Sequence, residues 1–155
     1  MEIEMKARAV GISPITNGVF VLLESLKKDR LLVRIDMFTG RAIQMELEKI
    51  TTARPLTHEL IERIITELKG TLMKVVITDV VHDYALLYLE KKNSAMITSD
   101  ARAGDAIAIA LSVEAPIYVE SAAFETLRKE DFSFDAARQR EWFESLDPND
   151  LGKKM

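Results

Sequence analysis

The stretch that most constrains this chain is Ser99–Leu111, S-D-A-R-A-G-D-A-I-A-I-A-L. Asp100, Arg102 and Asp105 crowd around Gly104, and the run that follows has no polar residue. A helix over Ala103–Leu111 would be apolar on every side, so it must be buried rather than laid on a surface. The fold must therefore enclose a helix between layers. The charged knot marks where a preceding strand ends and the helix begins. The first N–H groups of a helix lack internal partners and carry the positive end of its dipole, so such a start is suited to anions.

The flanking sequence supplies the layers. Met1–Val10 reads as a strand closed by a turn over Gly11–Pro14. Asn17-Gly18 is a hairpin signal between strands, and Val19–Glu24 and Leu31–Ile35 follow as two more. Ile43, Leu47 and Ile50 predict a helix over Gly40–Ile50. Arg54-Pro55-Leu56-Thr57 predicts a second helix start with Thr57 as N-cap. That helix runs to Lys69 with Gly70 as its stop. Leu60, Ile61, Ile64, Ile65 and Leu68 form its apolar face, and Glu59, Arg63 and Glu67 lie opposite. Met73–Asp79, Tyr84–Glu90 and Met96–Ser99 alternate as strands. Pro116–Val119 follows the buried helix closely, which predicts a crossover onto a parallel neighbour. The fold class is α+β, a mixed sheet with helices packed on it.

Residues 1–120 are expected to form this domain. Residues 121–155 are expected to be a helical extension, with helices over Ala123–Lys129 and Asp135–Leu146, packed on the same domain or on a partner subunit. Its Phe124, Phe132, Phe134, Trp142 and Phe143 offer more apolar surface than a lone helix leaves in water, which predicts a homo-oligomer, a dimer. The chain has 155 residues, no cysteine and a net charge of −4. Disulfides and zinc–thiolate sites are excluded. The negative charge argues against broad non-specific nucleic-acid binding and leaves room for a local site. No signal core or membrane span is visible, so a cytoplasmic location is expected.

Asp100, Arg102 and Asp105 admit two readings. In one, Asp100 and Asp105 hold Mg²⁺ or Mn²⁺, Arg102 and the backbone around Gly104 bind a phosphate, and the ion activates water. In the other, the same residues cap and brace a helix. His58 and Glu59 are further catalytic candidates, as an acid–base pair or as first-turn residues of an amphipathic helix. Arg54 resembles Arg102 in position, and both can meet one anion or brace helix ends. His82 and Asp83 are explained by turn chemistry. No organic-cofactor motif is present.

Arg54–Leu60 (R-P-L-T-H-E-L) and Ser99–Val119, in this order with a hairpin between them, resemble the bifunctional nuclease family. Its members are small proteins, mostly of bacteria and archaea, with plant members credited with cutting RNA and DNA. The resemblance covers roughly Ala7 to Glu120. Where the family usually reads R-P-S-D, this chain has Arg102-Ala103-Gly104-Asp105. Where the family usually carries an acidic residue before Ala42, this chain has Arg41. The resemblance implies an α+β fold and a nuclease or related phosphoesterase acting on RNA or DNA. The rival expectation is a non-catalytic module that binds a small anion or a protein partner.

Overall fold

The computed structural model describes residues 1–123 and residue 145. The tail helices expected beyond Ala123 lie outside the described residues. The strands are β1 (Glu2–Ile12), β2 (Val19–Ser25), β3 (Arg30–Ile35), β4 (Thr71–Asp79), β5 (Tyr84–Glu90), β6 (Met96–Ala101) and β7 (Ile117–Glu120). The helices are α1 (Met37–Leu47), α2 (Thr57–Glu67) and α3 (Ala103–Val113). The strands form one seven-stranded sheet in the order β3-β2-β1-β7-β4-β5-β6. This is the mixed α+β architecture that the pattern predicts.

The apolar run dictates the centre. Ala103, Gly104 and every residue from Ala106 to Ala110 in α3 are buried. The helix lies among α1, α2 and strands β3, β4 and β5. Its core neighbours include Val21, Leu23, Val33, Ile43, Val75, Ile77 and Val119. The chain leaves α3 at Glu114, in the left-handed conformation (φ 57°), and the Ala115 N–H closes the end on the Ala110 carbonyl at 2.9 Å. Pro116 then prevents the helix from continuing. The following strand does pair in parallel, but with β4 rather than with β6, which precedes the helix. It inserts between β1 and β4, and so joins the two halves of the sheet.

The other two helices differ from expectation at their starts. α1 begins at Met37 and not at Gly40, because Asp36 caps it: its carboxylate accepts from both the Thr39 N–H and the Thr39 hydroxyl at 2.8 Å. In α2 the N-cap is Leu56, Thr57 is already helical, and no side chain caps the start. At the far end Lys69, not Gly70, takes the left-handed conformation (φ 66°), and the Gly70 N–H bonds the Ile65 carbonyl at 2.8 Å. Among the described residues the apolar face of α2 is only partly covered: Leu60, Ile61 and Ile64 are 40–48% exposed and Leu68, just past its end, is 76% exposed. Among the described residues, no helix is long and apolar enough to cross a membrane.

Candidate functional site

The starts of all three helices border one cleft of about 1000 Å³. Asp36, Phe38 and Thr39 come from the start of α1. Leu56, Thr57 and His58 come from the start of α2, and Arg102 and Asp105 from the start of α3. Arg41 adds a second guanidinium from α1. The helix dipoles that end on this space contribute a positive field, opposed by the carboxylates of Asp36, Asp100 and Asp105 on the same walls. The uncapped first turn of α2 adds backbone N–H donors to that field.

The charged knot is ordered by its own pairing. Asp105 accepts two hydrogen bonds from Arg102, from Nε at 2.8 Å and from an Nη at 3.2 Å. The other side of the Arg102 guanidinium reaches Asp36 at 3.4 Å. Hydrogen bonding and charge from Asp105, then the charge of Asp36, hold the Arg102 pKa above its ordinary value. Arg102 therefore ties the start of α3 to the cap of α1. The cap of α3 itself comes from Asp83, in the β4–β5 turn with φ 55°, whose carboxylate accepts from the Ala103 N–H at 2.8 Å. The turn chemistry read at Asp83 thus also serves a helix twenty residues later.

Asp100 takes a different direction. Ser99 and Ala101 stand opposite Leu87 and Ala85 of the core, whereas Asp100 stands opposite Leu86, so the strand alternation puts it on the other face. Its carboxylate accepts from Tyr84, which raises the pKa of that phenol. Asp100 and Asp105, the expected ion ligands, both border the cleft, and their carboxylates engage Tyr84 and Arg102 respectively. Gly104 lies in the first turn of α3. A Cβ there would lie 2.8 Å from Cγ2 of both Ile35 and Thr39, so this glycine serves the close approach of α3 to its neighbours. Arg54 is exposed before α2 and does not border the cleft.

His58 has the strongest polar setting of the expected residues. It is only 6% exposed, and its Nε2 lies 2.7 Å from Glu46 Oε1 and 3.8 Å from Glu59 Oε1. One donor atom from each of the three residues lies within 4.8 Å of the others. Glu46 comes from α1 and was invisible as a partner in the sequence, where it sits one helix and one loop away. His58 faces the cleft, while Glu46 and Glu59 border a neighbouring cavity of about 770 Å³.

Residues 20–131 match the family model of the bifunctional nuclease domain, and both motif stretches fall within that range. The chain belongs to the bifunctional nuclease domain family. Within this bifunctional nuclease domain, the cleft is lined by α1, α2, α3 and the residues at their starts together with Leu87 of β5 and Ser99, Asp100 and Ala101 of β6, and the His58 cluster comes from α1 and α2. Two Mycobacterium tuberculosis proteins, from strains H37Rv and CDC 1551, are each 34% identical over 122 residues. The match spans 77% of this chain and 72% of each relative, and both are described as uncharacterised proteins.

Proposed function

We propose that the protein hydrolyses phosphodiester bonds of RNA or DNA with the help of a divalent cation, in the cleft where the three helix starts meet. The observation that carries this reading is the convergence of those helix starts with Arg41 and Arg102. A phosphodiester needs its oxygens neutralised while water attacks phosphorus. Helix N-termini and guanidinium groups supply that neutralisation, and Arg102 is already oriented by Asp105 and Asp36. His58 lies on the cleft wall, and its two carboxylate partners stand directly behind it toward the neighbouring cavity. The family name supports the same chemistry.

The test uses highly purified protein with single-stranded RNA and DNA oligonucleotides, in Mg²⁺, Mn²⁺ or chelator. Cleavage is expected with metal and not with chelator. Arg102→Ala should lower kcat/KM by about 10²–10³, the usual effect of losing one donor to a transition-state oxyanion. Asp105→Asn should lower it less, because it loosens Arg102 without removing it. No cleavage with any ion, or undiminished cleavage by Arg102→Ala, would overturn the proposal and favour a non-catalytic anion-binding module.

A further inference from the structure

We infer that Glu46, His58 and Glu59 form a binding site for one divalent transition-metal ion of the Mn²⁺ or Zn²⁺ class. Donor atoms bound to one such ion at about 2.0–2.2 Å lie roughly 3.0–3.4 Å from one another. The separations here, 2.7 Å and 3.8 Å from His58 Nε2 with all three donors within 4.8 Å, bracket that range. Small side-chain rotations convert the one into the other. One imidazole with two carboxylates is a mixed nitrogen and oxygen set, which suits Mn²⁺ and Zn²⁺ better than Mg²⁺ with its preference for oxygen and water.

The surroundings favour a cation over a simple helix brace. His58 is buried, but the Glu46 and Glu59 carboxylates keep partial exposure, 19% and 28%, toward the adjoining cavity. Water can therefore complete the coordination shell from that side. Glu62 and Glu67 also border this cavity and add negative charge, against Lys49 and Arg63. An ionised carboxylate can only accept, so in the ion-free protein an Nε2–H donates to Glu46. Binding needs the Nε2 lone pair. A bound ion therefore takes the place of the proton shared with Glu46.

The site lies between the phosphate cleft and this acidic cavity, with His58 on the cleft side and Glu46 and Glu59 on the cavity side. Two carboxylates so close to a phosphate site would repel the substrate unless a cation stood between them. The part the ion plays in cleavage rests on the phosphodiesterase reading; its binding does not. Sequence reading placed the ion at Asp100 and Asp105, so those positions serve as internal controls.

Mn²⁺ or Zn²⁺ is titrated into chelator-treated full-length protein, followed by calorimetry and, for Mn²⁺, by loss of the free-ion electron paramagnetic resonance signal. One equivalent is expected to bind. Glu46→Gln and Glu59→Gln should each weaken binding at least tenfold, and His58→Ala more. Asp100→Asn should leave it unchanged. The two glutamine variants keep side-chain size and their helical folds can be checked by circular dichroism, so the outcome does not hang on the buried histidine. Absence of binding at millimolar ion, or binding that neither glutamine variant diminishes, overturns the site. Tight binding without any nucleic-acid cleavage leaves the site standing and removes the phosphodiesterase reading instead.

Discussion

Single residues in this molecule act through contacts that sequence spacing does not display. Gly104 sits in a charged loop-to-helix stretch, where a glycine suggests backbone approaching a phosphate. Its neighbours are instead Ile35 and Thr39, both β-branched and stiff close to the backbone. Gly104→Ala should therefore destabilise the fold by about 1–3 kcal/mol through overpacking, despite the better helix propensity of alanine. Chemical denaturation of the variant checks this; a neutral or stabilising effect would show that α3 can move away from Ile35. Glu24 makes a second case. It is buried at the end of β2, with Lys28 at 3.2 Å, Arg30 at 3.1 Å and Arg8 at 3.9 Å. Burial pushes its pKa up, but hydrogen bonds and charge from Lys28 and Arg30 outweigh that and hold it below 4.5. Asp36 is likewise held below 3.8, first by the Thr39 N–H and hydroxyl, which outweigh burial, and then by Arg102. Both groups are depressed in the folded state. Their stabilisation is thus fully present above the unfolded carboxylate values and is lost as pH falls through the folded ones. Unfolding free energy should decline on the acid side of those values, and Glu24→Gln should flatten part of that decline. At neutral pH Glu24→Gln should cost about 1.5–3 kcal/mol, the scale of hydrogen bonds to a charged group.

Secondary elements were legible where one local force dominates. α3 has no polar face, and burial follows from that fact alone. Ile107 is fully buried against the sheet. Ile107→Ala should cost about 2–5 kcal/mol, read from the shift of the denaturation midpoint at constant slope. A loss under about 1 kcal/mol would mean that the core collapses around the gap. α1 was displaced by three residues because a single Asp36 cap outranks the periodicity of the residues after it. α2 was placed well in extent, and its apolar face was identified. Amphipathic spacing says that one face is apolar; it does not say what occupies that face. The His58 cluster fell between these levels. His58 and Glu59 were visible as candidates, but Glu46 approaches only because α1 and α2 both pack on α3. No local periodicity links a residue near the end of one helix to the start of the next.

At the scale of the whole molecule, the sheet packs on α3, and among the described residues no further strand joins it beyond β6. β6 is an edge strand, and the face of α2 lies beside it. Ile65, Leu68, Leu89 and Ile97 border a shallow cavity of about 700 Å³ there, and Ile97 is 47% exposed. A long edge with apolar side chains and unpaired backbone groups invites another strand. β6 can supply that strand to itself. With Ser99 opposite the partner's Ser99 in an antiparallel pair, Ile97 meets the partner's Ala101 on the helix side. Thr98 meets the partner's Asp100 on the other side, within reach of a hydrogen bond. Directly opposed residues share a sheet face, so this register keeps apolar with apolar and polar with polar. A dimer with one continuous sheet is the expected outcome, formed at β6 and widened by α2. Sedimentation equilibrium at micromolar concentration should give twice the chain mass. Ile97→Lys should give the single-chain mass while costing the folded protomer no more than about 0.5 kcal/mol, because the side chain is half exposed before any partner arrives. Leu26→Lys, on the exposed β2–β3 turn at the opposite side of the sheet, should leave the dimer intact. A parent protein that sediments as a single chain would exclude this pairing and return the α2 flank to the search for another partner. A dimer that survives Ile97→Lys would place the contact elsewhere. The pairing also sets a condition on the cleft: β6 runs into Arg102, so a joined sheet would hold two clefts at a fixed separation across the two-fold axis. An interface variant that is monomeric but still cleaves nucleic acid at the parental rate would show each cleft to be complete within one chain, as expected from its lining by α1, α2, α3, β5 and β6 of the same copy.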